Sequence, residues 1–134
     1  MTKAPFLTTL VFTLTMFSST CYAEWTKVAE NVEGTFYLDV AKIRKVDGYI
    51  YWWELRDYWN TDKTGIWSVK GYLQGDCTLF KVKFLKLSAH EEPMGEGAGE
   101  IYTPPKPKWN YPLPNSGDEI ILETVCEYAN QKFD

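Results

Sequence analysis

From residue 25 to residue 86 apolar and polar side chains alternate in short runs, the two-residue period of a half-buried strand. Residues 25–29 (WTKVA) and 34–38 (GTFYL) read as short strands. Asp39 can cap a helical turn over residues 40–43. Asp47-Gly48 then separates two β-prone runs, and Asp-Gly tolerates positive φ at both central positions, the signature of a hairpin. Residues 49–59 (YIYWWELRDYW) are the strongest strand. Tyr49, Tyr51, Trp53 and Leu55 form one face and Ile50, Trp52, Glu54, Arg56 and Tyr58 the other. The first face, free of charge, is the expected core face. After a loop at residues 60–65, Trp67, Val69, Gly71 and Leu73 share a side of the next strand. Gly75-Asp76-Cys77 reads as a turn. Phe80, Val82 and Phe84 then alternate with Lys81, Lys83 and Lys86. Sequential hairpins of this kind predict an antiparallel meander. Cys77 falls in the alternation class of Lys81 and Lys83, so a turn or bulge is expected near residues 75–78.

Residues 88–117 break the pattern. Ten of the 30 are Pro or Gly, and a long loop without regular structure is expected, functional or mobile. Gly95-Glu96-Gly97-Ala98-Gly99 is read as its mobile part, because neither a following helix nor a lysine supports phosphate binding. Ser116-Gly117-Asp118-Glu119 matches a capping box. Ile121, Leu122, Val125, Cys126 and Ala129 follow at helical spacing on one face. Cys126 would then point toward the sheet. The fold class predicted is α+β, an antiparallel multi-stranded sheet with a C-terminal helix tied to it by one disulfide.

The opening segment changes the cysteine arithmetic. Lys3, an apolar run over residues 6–17, and Cys21-Tyr22-Ala23 read as a signal peptide over residues 1–23, cleaved after Ala23. Ser18-Ser19-Thr20 before Cys21 does not fit a lipid-attachment site. The uncharged stretch holds five Thr and two Ser, thin for a spanning helix, and no later run is long enough to span. The mature domain, residues 24–134, keeps Cys77 and Cys126. An even count in an exported chain favours a disulfide. Closing a loop of roughly 50 residues stabilises a fold by about 4 kcal/mol in the chain-entropy model.

Charge removes one function class. Fourteen Lys and Arg stand against 18 Asp and Glu, a formal −4, whereas nucleic-acid binding needs a basic face. No catalytic motif occurs. The lone His90 has acidic neighbours, Glu91 and Glu92, a common solvated loop pattern. No metal spacing is present, and Asp57, Asp62 and Asp76 lack EF-hand order. No cofactor, metal or catalytic residue is assigned. The aromatic content, 16%, is the unusual number. Trp52, Tyr58, Trp59, Trp109 and Tyr111 are the candidate ligand-binding set, since Trp and Tyr supply rigid contact area at binding sites. The competing reading is that they fill a small core. Lys81, Lys83 and Lys86 form a basic stripe that could meet an anionic surface or keep an exposed strand soluble; the second reading is preferred.

Trp25-Thr26-Lys27-Val28, the Tyr37-Leu38-Asp39 step, Trp53-Glu54-Leu55-Arg56-Asp57-Tyr58, one cysteine after a middle strand, Pro114-Asn115-Ser116 and a final helix with the second cysteine form a set. Across residues 25–128 this set resembles the bacterial surface-adhesin protein E-like family. Residues 72–77 (YLQGDC), Glu92-Pro93-Met94-Gly95 and residues 109–126 are similar to a subgroup of small exported proteins within it. The resemblance implies a multi-stranded antiparallel sheet whose C-terminal helix is held by one disulfide. It also suggests adhesion, because the naming member binds host matrix proteins. The function expected is an exported, non-enzymatic binding protein, adhesin-like, with a protein or glycan partner in the periplasm or at the cell surface. The alternative is a periplasmic small-ligand-binding or envelope-assembly factor.

Overall fold

The computed structural model describes residues 23–61 and 63–133; the expected signal peptide, apart from Ala23, lies outside the described residues. Seven strands form one antiparallel sheet: β1 (Thr26–Glu30), β2 (Gly34–Leu38), β3 (Arg44–Val46), β4 (Tyr49–Tyr58), β5 (Ser68–Asp76), β6 (Lys81–His90) and β7 (Gly99–Tyr102). The order is β1-β2-β4-β5-β6-β7, with β3 paired to β4. β2 and β3 lie end to end along one edge of β4, opposite residues 54–58 and 49–51. The helix α1 (Gly117–Phe133) packs on one side. This is the meander with a C-terminal helix that the alternation predicted.

Local chemistry sets the corners. Asp47 and Gly48 take φ 51° and 84°, so a two-residue loop carries β3 into β4. A 3-10 turn, Val40–Lys42, links β2 to β3, but the Asp39 carboxylate makes no cap bond. The turn closes through backbone bonds from Lys42 N to Asp39 O and Ile43 N to Val40 O. The Asp39 carboxylate instead lies 3.6 Å from Lys42 Nζ.

Cys77 finds its place as the next step of β5. Val69, Gly71, Leu73 and Gly75 face the helix side, and Cys77 continues that series just past the strand end. Asp76 Oδ1 accepts hydrogen bonds from Thr78 N and Leu79 N, each at 2.9 Å. With Phe80 at φ 54°, residues 77–80 reset the alternation before β6 begins. A bulge follows, because Tyr72 faces Lys86 and Leu73 faces Phe84. The extra residue, Leu85, keeps Lys86 on the side of Lys81 and Lys83, where strict alternation would have moved it across. Cys77 and Cys126 form the disulfide, their Cα atoms 5.7 Å apart.

The core lies between helix and sheet. Phe36, Leu38, Ile43, Ile50, Trp52, Leu73 and Val82 meet Ile121, Leu122, Val125 and Ala129. Each such side chain contributes about 1.5–3 kcal/mol by leaving water. Gly75 marks a close approach: a Cβ there would stand 2.7 Å from the Trp52 ring and 3.0 Å from Leu122 Cδ1.

Two expectations are corrected. The helix covers the other face of β4, burying Ile50, Trp52 and Glu54. Of the expected core face, Tyr49, Tyr51 and Trp53 are only half-buried, while Leu55 is fully buried beside Gly95. Glu54 and Arg56 can turn inward because they pair with each other and with Asp118 of the helix, whereas tyrosine hydroxyls favour a wet boundary. Residues 88–117 are also not structureless. β6 runs on to His90, residues 93–95 make a 3-10 turn, and β7 returns along β6.

The glycine-rich stretch is docked rather than free where it meets the sheet. Gly95 N donates to Ser68 Oγ at 2.8 Å, Ser68 Oγ donates to Glu92 O at 2.7 Å, and Met94 N donates to Asp57 Oδ1 at 2.9 Å. Beyond β7 the chain follows the β6 edge until Asn110 pairs with Val82. Pro104, Pro105 and Pro107 lie in that stretch and supply no N–H donor to the edge. Ser116 then caps the helix, its Oγ accepting from Glu119 N at 3.2 Å. Glu119 Oε1 reaches back to Asn115 N at 3.2 Å, one residue earlier than a standard capping box.

Candidate functional site: the open face of the sheet

The sheet has a helix side and an open side, and the candidate aromatics divide between them. Trp52 is fully buried under the helix, its Nε1 donating to Glu54 Oε1 at 3.1 Å. It is a core residue and presents no surface to a partner. Tyr58 is half-buried on the same side of β4, beyond the reach of the helix. With Glu54, Arg56, Val69, Gly71, Phe84 and Leu87 it lines a groove of 290 Å³. Trp59, at the end of β4, is 51% exposed and donates through Nε1 to Asn31 O at 2.8 Å. Trp109 lies on the open face. Tyr111 is 69% exposed. The five therefore do not converge on one site.

Arg56 organises the helix side. Its Nε donates to Glu54 Oε2 at 2.6 Å and its Nη2 donates to Asp118 Oδ1. The guanidinium also lies 5.9 Å and 5.6 Å from the ring centres of Phe36 and Phe84. Burial alone would lower its pKa; the charges of Glu54 and Asp118 and their hydrogen bonds overcome this and hold it above its ordinary range. Burial likewise raises the Tyr58 phenol above its ordinary value, partly offset by the Arg56 charge. Both partners of Arg56 are thus already committed within the fold.

The open face gathers residues that sequence reasoning assigned to the core or left out. Tyr51 stacks on Tyr72 at 6.2 Å and Trp53 on Tyr72 at 4.9 Å, between ring centres. Tyr49 meets Trp109 at 5.6 Å. Lys81 Nζ and Lys83 Nζ stand 4.6 Å and 4.4 Å from the centre of the Trp109 ring, both within cation–π range. Arg44, opposite Tyr51, lines a shallow cleft of 140 Å³ with Val46, Tyr51 and Tyr72. The lysine stripe therefore borders an aromatic row rather than bare solvent. Its legible signal was register: the tyrosines of β4 and the lysines of β6 fall on one side of the same sheet.

His90 is buried, its Nε2 2.8 Å from Ser88 Oγ, beneath the returning β7. A depression of 540 Å³ nearby, lined by Thr64, Ile66, Ala89, Glu91, Ala98, Gly99 and Glu100, contains no aromatic side chain. Among the described residues no group of three or more His, Cys, Asp or Glu is placed to hold a metal ion, and no helix is long and apolar enough to cross a membrane.

The fold has known counterparts. Protein E from non-typeable Haemophilus influenzae superposes with a TM-score of 0.59 at 14% identity, covering 87% of this chain and 84% of that one. Another structure of Haemophilus influenzae protein E gives 0.56 at 14% identity, covering 84% and 91%. Its crystal form II gives 0.56 at 14% identity over 79% and 89%. At that identity the likeness speaks for the fold. No curated protein matches the sequence. The surface-adhesin protein E family matches residues 25–127, strand β1 through most of the helix, cysteines included. The chain belongs to the surface-adhesin protein E family.

Proposed function

We propose that this chain is an exported, non-enzymatic, adhesin-like module that binds a protein or glycan partner through the open face of its sheet. The observation that carries the reading is the half-buried aromatic row of Tyr49, Tyr51, Trp53, Tyr72 and Trp109 beside Lys81, Lys83 and Lys86. Rigid aromatic rings are what binding surfaces concentrate. Membership of the surface-adhesin protein E family supports the same reading.

Protease treatment of intact cells, with a periplasmic protein as control, tests it. Cleavage while the control survives supports surface display. Paired Trp53→Ala and Tyr72→Ala substitutions should then reduce adherence of those cells to a matrix-coated surface. Full protection until the outer envelope is opened would overturn display. It would favour the second reading, a periplasmic small-ligand protein, for which the 290 Å³ groove at Arg56 is the supporting feature.

A further inference from the structure

The molecule is acidic overall, with 18 acids against 14 bases, yet the centre of its open face is cationic. Arg44 on β3 and Lys81, Lys83 and Lys86 on β6 share that side of the sheet. Among the described residues, Lys81, Lys83 and Lys86 form no ion pair with a carboxylate. The acid beside them, Asp76, spends Oδ1 on the Thr78 and Leu79 amides. Three strand steps separate Arg44 from the lysines, about 14 Å at ordinary strand spacing. Tyr51 and Tyr72 lie on the strands between.

We infer that this face docks an anionic polysaccharide, a sulfated chain laid across β3 to β6. The inference rests on the open face being the binding face. The cations are spread along a line and not gathered in a cup, which suits charges repeated along a polymer better than one phosphate. The rings between them offer flat apolar faces to the C–H faces of sugar rings. The Tyr49–Trp109 and Lys81–Lys83 cluster joins both elements in one place, with two ammonium groups over one indole. An acidic peptide added as a strand would need a free backbone edge, whereas β4 and β5 are paired on both sides and β6 is paired outward at residues 87–90 and Val82. A lipid surface would call for protruding aliphatic side chains, whereas the apolar groups at this centre are half-buried rings.

The test is binding of a heparin hexasaccharide and its fully desulfated counterpart to the whole exported chain, disulfide intact, at two salt concentrations. The sulfated probe should bind, the desulfated one should bind at least tenfold more weakly, and affinity should fall steeply with salt, as polyanion binding does. Lys81→Gln with Lys83→Gln should weaken binding about tenfold or more, while Lys63→Gln with Lys132→Gln, the same loss of charge in the 60–65 loop and on the helix, should leave it unchanged. Trp109→Phe should retain most binding and Trp109→Ala lose it, with thermal unfolding checked for each variant. Four results overturn the inference: no binding, equal binding of the desulfated probe, equal loss in both lysine pairs, or tighter binding to anionic vesicles or an oligothymidylate. If adherence still falls in the Trp53 and Tyr72 variants while the hexasaccharide fails to bind, the binding face stands and only the polysaccharide assignment falls.

Discussion

Arg56, on the central strand, donates a hydrogen bond to Asp118, in the first turn of the helix, across 62 positions of sequence. The contact sets where the helix begins on the sheet. Asp118 also sits where the positive end of the helix dipole favours an acid. Replacing Arg56 with Met would leave Glu54, 1% exposed, without its counter-ion. The expected cost is about 3–5 kcal/mol, the usual penalty for breaking a buried pair from one side. Asp118→Asn, which keeps an acceptor and leaves the Glu54–Arg56 pair intact, should cost about 1 kcal/mol. Urea unfolding of both variants checks the order, and equal losses would show that Glu54 does not depend on Arg56.

The disulfide joins Cys77 and Cys126 across 49 positions. Cys77→Ser with Cys126→Ser should lower unfolding stability by about 4 kcal/mol. A reductant added to the wild-type protein should produce a similar loss, and the serine variant should not respond to it.

Gly75 is a tight point between helix and sheet. An alanine there would press on the Trp52 ring, and overpacking of this kind costs about 1–3 kcal/mol. Trp52 fluorescence should shift in the folded variant. At the helix start, Ser116→Ala removes the acceptor for Glu119 N and should cost about 1 kcal/mol. No change on thermal unfolding would mean that the Glu119–Asn115 contact is sufficient alone.

Tyr58 gives a pH signature. Its folded-state pKa lies above the ordinary value of 10 because burial opposes the phenolate. Below pH 10 the phenol is protonated in both states and stability is unaffected. Above it the unfolded chain loses that proton first, so stability falls as pH rises toward the folded pKa. Tyr58→Phe should flatten this part of the stability curve from about pH 10, the ordinary value, upward.

Much of the fold was readable because period-two alternation and turn residues agreed with each other. Asp47-Gly48, the Ser116 cap and the apolar face of Ile121, Leu122 and Val125 all appear as expected. The face of β4 was misread because both faces are aromatic, and the charges on one argued for solvent. Glu54 is neutralised by Arg56, and Arg56 is tied to the helix by Asp118, 62 positions away, a contact that a local pattern cannot reveal. β7 was missed because its four residues lie among glycines and prolines and gain strand form only from β6. Among the candidate binding residues, Trp109 reaches the open face, whereas Trp52 belongs to the core. Tyr72 went unnoticed, although two stacking contacts make it the centre of the aromatic row.

The disulfide also determines how the domain would carry a mechanical load. A pull applied between the two ends of the chain enters through β1 to β5, reaches Cys77, and crosses directly to Cys126. The 49-position span between the cysteines is covalently shunted, so its backbone cannot be paid out under tension. That span contains Lys81, Lys83, Lys86 and Trp109. A partner gripping those side chains would remain attached to a segment that tension cannot unravel, even after the strands before it had begun to peel.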